Sequence, residues 1–239
     1  MNSLFVICHL FFISGTAPSL IRQYMYVPTK MNWITAQKYC RQMYGDLATI
    51  TTEEEYNKVV TVAGDSFWAW IGMNRSAPEL NVWQWSDGEK TNFTKWHFNE
   101  PNNETIPGEN CVVMNPYGWY DDACQLRHSS ICSKNFMLVK EKKTWEEAHQ
   151  HCRTYYSNFS QIELGLFKTD TEEAQTASVW TGLRFLDGKW FWVNGVQLDS
   201  LASLPTCPIQ PYRCGAYNFN TYVWENRDCN EELNFLCDD

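Results

Sequence analysis

Apolar and polar residues along this chain fall into two periods. Trp33, Ala36, Cys40, Met43 and Tyr44 recur at helical spacing behind Asn32, a natural N-cap, and Gly45 follows as a stop. Thr52-Glu53-Glu54-Glu55 reads as a capping box opening a second helix that ends before Gly64. Thr144-Trp145-Glu146-Glu147 repeats the device later in the chain. Beyond each helical stretch the sequence turns aromatic and turn-rich, as short strands and loops do. The pattern predicts an α+β fold with two helices flanking small antiparallel sheets, and it assigns most tryptophans to core and sheet packing.

The pattern occurs twice. Trp33, Ala36, Cys40, Tyr44 and Ile50 return as Trp145, Ala148, Cys152, Tyr156 and Ile162, all at one constant offset. Trp70-Ile71-Gly72 returns as Trp180-Thr181-Gly182, Trp83/Trp85 as Trp190/Trp192, and Cys111, Cys124 and Cys132 as Cys214, Cys229 and Cys237. Two tandem copies of one fold follow, over 22–133 and 134–239. They meet near Ser133–Asn135 without a Gly/Ser- or Pro-rich linker.

Composition narrows the setting. The 239 residues include ten cysteines and twelve tryptophans and carry a formal charge of −9. An acidic chain argues against nucleic acid and anionic membrane surfaces, which need clustered Lys and Arg. Leu4 to Ile13 is an apolar run ending in Ser14, Gly15, Thr16 and Ala17. It falls short of the roughly 20 residues that span a bilayer, so residues 1–17 read as a signal peptide. With no later segment apolar enough to span, the expectation is a soluble, secreted, extracellular glycoprotein. Asn74, Asn92, Asn103 and Asn158 each head an Asn-X-Ser/Thr acceptor.

The chemistry concentrates between Trp96 and Asp121. Glu100, Asn102, Glu109 and Asp121 are hard oxygen donors of the kind that suits Ca²⁺, which takes six to eight oxygens. Pro101 fixes its own φ, restrains Glu100 and leaves the Glu100–Pro101 bond open to the cis isomer. Catalysis has little support. A glycosidase pair drawn from Glu100, Glu109, Asp121 and Asp122 is better explained by a cation, and His149 and His151, two apart on a helix, face away from each other.

Trp70-Ile71-Gly72, Trp83-Gln84-Trp85, Trp96, Glu100-Pro101-Asn102, Glu109-Asn110-Cys111, Trp119-Tyr120-Asp121 and Cys124…Cys132, in that order, resemble the C-type lectin-like domain. The tandem arrangement is similar to macrophage mannose receptor-like lectins. The resemblance implies a Ca²⁺ and sugar site at Glu100, Asn102, Glu109 and Asp121, taking mannose-, fucose- or N-acetylglucosamine-type sugars. It also implies disulfides Cys40–Cys132, Cys111–Cys124, Cys152–Cys237 and Cys214–Cys229. Cys8 leaves with the signal peptide, and Cys207 is left to bridge a homo-oligomer, to pair with Cys214 instead, or to remain a thiol.

The sequence departs from the family in two places. Tyr120 stands where sugar-binding members carry an asparagine that both ligates Ca²⁺ and donates to a sugar hydroxyl, so one ligand is expected to be missing. Asn103 and Asn110 stand where acidic ligands of auxiliary Ca²⁺ sites often occur. In the second copy nothing between Trp192 and Cys214 matches Glu-Pro-Asn, and Trp224-Glu225-Asn226 exchanges acid and amide, so that site reads as lost. The alternative function is a secreted C-type lectin-like protein binding a protein ligand without sugar recognition.

Overall fold

The structure, a computed structural model, describes residues 17–75, 82–90, 92–104, 108–162, 177–195, 198 and 204–238. The apolar run Leu4–Ile13 lies outside them. Two compact units form, one built chiefly on Ile21–Phe136 and the other on Met137–Gln161 with Thr169–Asp239. The division falls inside a strand, between Phe136 and Met137, rather than in a linker.

The amino-terminal unit runs β1 (Ser19–Met31), α1 (Trp33–Met43), β2 (Asp46–Leu47), α2 (Glu53–Ala63), β3 (Ala69–Asn74), β4 (Gln84–Trp85), β5 (Cys111–Asn115), β6 (Gly118–Asp122) and the first part of β7 (His128–Lys143). Asn32 caps α1 by accepting from the Thr35 amide at 2.9 Å. The helix buries Trp33, Ala36 and Cys40 on one stripe. The Trp33 indole donates to the Ile71 carbonyl at 2.9 Å, and Cys40 is bonded to Cys132. Closing that long loop stabilises the unit by roughly 4–5 kcal/mol in the chain-entropy model. Gly45 acts through space rather than through a left-handed turn, because a β-carbon there would meet the Ser133 carbonyl oxygen at 2.9 Å. Gly64, by contrast, ends α2 at φ +85°.

Thr52 caps α2 by accepting from the Glu55 amide at 3.1 Å, but the predicted box is not reciprocal. The Glu55 carboxylate goes instead to the Thr51 amide at 2.6 Å and to Arg22 Nη1 at 2.9 Å. That half-buried arginine and Thr51 together hold the glutamate away from the cap. Antiparallel β3–β5 and β5–β6 pairs carry the core, and each unit also contains a parallel strand pair, β3 with β7 here.

The carboxy-terminal unit contains the end of β7, α3 (Trp145–Tyr155), β8 (Asn158–Phe159), β9 (Ser178–Leu186), β10 (Lys189–Trp192), β11 (Cys214–Asn218), β12 (Val223–Arg227) and β13 (Leu233–Asp238). Its parallel pair is β9 with β13. The repeat holds down to single hydrogen bonds. Trp145 donates from its ring to the Thr181 carbonyl at 2.9 Å as Trp33 does to Ile71, and Trp180 donates to Lys143 as Trp70 does to Met31. Here the capping box is complete, with Thr144 and Glu147 each accepting from the other's backbone. The second helix expected in this copy falls in a stretch, 163–176, outside the described residues. Disulfides Cys111–Cys124, Cys152–Cys237 and Cys214–Cys229 complete the set with Cys40–Cys132.

Candidate functional site

The β5–β6 hairpin supplies the rigid floor of the site. Val112 faces Asp121 and Met114 faces Trp119 across the pair, and the Cys111–Cys124 disulfide braces its open end. A second segment is laid beside β6 by backbone bonds: Trp119 N–H donates to Lys95 at 2.8 Å and His97 N–H donates to Trp119 at 2.9 Å. The chain then turns, with Asn99 at φ 65° and the Glu100–Pro101 bond in cis.

Glu100, Asn102, Glu109 and Asp121 come together. The Asp121 carboxylate accepts from the amides of Asn102 at 2.9 Å and Asn103 at 3.1 Å. Asn102 donates its side-chain amide to Glu100 Oε1 at 2.9 Å and accepts from the Glu104 amide at 3.0 Å. Glu109 Oε2 accepts from the same Glu104 amide at 2.8 Å. Glu109 and Asp121 are buried, while Glu100 Oε2 is shut from solvent without a hydrogen-bond partner. Burial, contact with Asp121 and repulsion from Asp121 and Glu109 push the Glu100 carboxyl up to about 7. Negative charge from Asp121 and Glu109 thus reaches Glu100, while among the described residues no three acidic, histidine or cysteine side chains are set as a metal-ligand group.

Tyr120 is elsewhere. Its neighbours Trp119 and Asp121 point to one face of β6, and Tyr120 points to the other. Trp119 belongs to the core with Ile71 and Val112, whereas Tyr120 packs beside Trp70 and Val113. Its ring sits 4.8 Å from those of both Trp68 and His97, stacked on the latter. Tyr120 is an aromatic packing residue and supplies no oxygen beside Glu100, Asn102, Glu109 and Asp121, in keeping with the missing ligand expected from its place in the motif. The alternation of β6 was the signal that could have found this.

Sequence reasoning also passed over Arg75. It is buried, donates from Nε to Asn110 Oδ1 at 3.1 Å and from Nη2 to Asn103 Oδ1 at 3.2 Å and the Glu109 carbonyl at 3.0 Å. Of the acceptor asparagines, Asn92 and Asn103 are exposed and Asn74 and Asn158 half-buried.

The second copy spends its equivalent residues internally. Glu225 accepts from Ser178 Oγ at 2.9 Å and Asn218 Nδ2 at 2.8 Å, and Arg227 lies beside it at 3.4 Å. Gln210–Pro211 is a second cis bond, not singled out from the sequence. The Pro211 carbonyl accepts from the Arg213 amide at 2.8 Å. Cys207 is an exposed thiol, and Cys214 is taken by Cys229, so one of its three assignments is ruled out.

The Lectin C-type domain model matches residues 29–134 and again 141–239. Human Lymphocyte antigen 75 is 23% identical over 252 residues, covering 87% of this chain and 14% of its own length. The Galactose-specific lectin nattectin of Thalassophryne nattereri is 32% identical over 111 residues, covering 44% of this chain and 69% of its own. Mouse C-type lectin domain family 6 member A is 37% identical over 115 residues, covering 44% of this chain and 53% of its own. This chain thus spans only a small part of the first of these relatives. The carbohydrate-recognition domain of cow CD23, solved in the presence of an oligosaccharide, is 28% identical with a TM-score of 0.44, over 50% of this chain and 96% of that one. With the Lectin C-type domain matched over most of its length, in two copies, this chain belongs to the C-type lectin domain family.

Proposed function

We propose that the amino-terminal unit is a Ca²⁺-dependent carbohydrate-binding site for mannose-, fucose- or N-acetylglucosamine-type sugars on glycans and glycoproteins. The observation that carries this is the convergence of Glu100, Glu109 and Asp121 with Asn102, leaving a buried Glu100 oxygen without a partner. A hard divalent cation among these oxygens would offset the burial, and the repulsion after it, that lift Glu100. Bound, the ion supplies the coordination point for two neighbouring sugar hydroxyls. The chain's own residues do the rest: Glu100 and Glu109 accept from those hydroxyls and the Asn102 amide donates to them. Relatives whose names refer to sugars, C-type mannose receptor 2 and nattectin, support a glycan ligand but differ over which one. Four intraunit disulfides support an extracellular, oxidising setting.

Retention on mannose-agarose in Ca²⁺ with release by EDTA tests the reading, with Glu100→Gln as control. Retention abolished by that substitution supports it, and wild-type protein running through the column in Ca²⁺ would overturn it. A second reading, a protein-binding module, is favoured by the closed hydrogen bonding around Glu225 in the other copy. A relative named Secretory phospholipase A2 receptor fits that class. EDTA-insensitive capture of a glycan-stripped glycoprotein is what that reading expects.

A further inference from the structure

Arg75 stands immediately after β3, where the pairing with β5 slips between Trp70 and Asn74. Its backbone amide donates to the Asn110 carbonyl at 2.8 Å, so the residue is pinned at both main chain and side chain. The guanidinium lies 5.0 Å from the centroid of the Trp83 ring. A cation buried against an aromatic face keeps its charge and spends its donors in one plane. Those donors reach both ends of the ligand turn: Asn103 on the outgoing side, Glu109 and Asn110 on the returning side. Asn103 Oδ1 then passes the hold on, since it also accepts from the Glu109 amide at 3.0 Å. Glu109 in turn accepts from Glu104, and the adjoining amides of Asn102 and Asn103 clasp Asp121.

We infer that Arg75 is a positioning residue that assembles the Glu109–Asn103–Asp121 side of the site before any ion arrives, through the fork geometry of its guanidinium. The inference rests on the proposed cation site for its purpose, though the positioning itself does not need the ion. Such preassembly saves a ligand the ordering of the turn. Lysine has the charge but not the planar fork, so Arg75→Lys separates geometry from charge, and Arg75→Met removes both.

Amide hydrogen exchange on the full chain in EDTA is the test, read at Glu104 and Glu109 against Ile71 and Val113 in the core. Losing charge-assisted bonds to the turn should speed exchange at Glu104 and Glu109 roughly 10- to 150-fold in both variants. Ile71 and Val113 should keep their wild-type rates. Adding Ca²⁺ should slow the two turn amides again, and the apparent Ca²⁺ affinity of Arg75→Lys should be weaker than wild type. Wild-type exchange at Glu104 and Glu109 in Arg75→Lys would overturn the inference, because charge alone would then suffice. Equal acceleration at Ile71 and Val113 would also overturn it, making Arg75 a general core residue. If wild-type protein takes up no Ca²⁺, the proposed function fails while the EDTA comparison still decides the role of Arg75.

Discussion

At the scale of single residues, β6 shows how a motif read as letters differs from one read as faces. Trp119-Tyr120-Asp121 occupies consecutive positions, but a strand sends alternate side chains to opposite sides, so only Asp121 joins Glu100, Asn102 and Glu109. Tyr120→Asn is therefore expected to bring no gain in sugar binding. It should instead cost about 1–3 kcal/mol by removing two aromatic contacts and their buried area, seen as a lower midpoint in thermal unfolding. A glycan array comparing both forms checks the first half. That Glu100, Asn102, Glu109 and Asp121 are neighbours was legible, since oxygen-bearing residues spaced so closely around one proline turn and one hairpin carry their chemistry in their names. Arg75 was not, because nothing in Asn74-Arg75-Ser76 says that its side chain turns inward.

Glu100 carries a second residue-scale prediction. Its folded carboxyl titrates near 7 against an ordinary 4.5, so the folded state penalises the ionised form. Below 4.5 both states are protonated and no penalty exists. As pH rises from about 4.5 to 7 the unfolded chain ionises first and stability falls, and above 7 the penalty is complete. In EDTA, the unfolding midpoint of wild type should drop across that window relative to Glu100→Gln. Saturating Ca²⁺ should remove the difference, and parallel pH curves in EDTA would show that Glu100 is not held in this environment.

At the scale of elements, caps were legible and their partners were not. Asn32, Thr52 and Thr144 each begin the helix their sequence predicts, because capping is a local competition for the first free N–H groups. Whether the glutamate three residues on completes a box depends on distant charge. Arg22 and Thr51 hold Glu55 away from its cap in α2, whereas Glu147 in α3 keeps its bonds to Thr144. Thr144→Ala should therefore release two bonds at once and cost about 1–2 kcal/mol, while Thr52→Ala should cost less. Chemical denaturation of the two variants compares them directly. Strand order resisted sequence reading for a related reason: the parallel β3–β7 and β9–β13 pairs join segments far apart in the chain, and periodicity carries no information about partners.

At the scale of the whole molecule, the repeat was legible because its spacing survives even where its site does not. Trp33 and Trp145, Trp70 and Trp180 make the same bonds in the two units, while the segments after β4 and β10 have diverged. The cysteines divide in the same way. Cys40–Cys132 and Cys111–Cys124 close within the amino-terminal unit, Cys152–Cys237 and Cys214–Cys229 within the other, and among the described residues none joins the two. A single proteolytic cut between Phe136 and Met137 should therefore yield two fragments that separate on a non-reducing denaturing gel, and one unseparated band there would refute it. A cut between Cys111 and Cys124 should leave its pieces tied. One protease, with no reductant, would then be enough to leave the two units without a covalent tie, each still closed by its own pair of bridges.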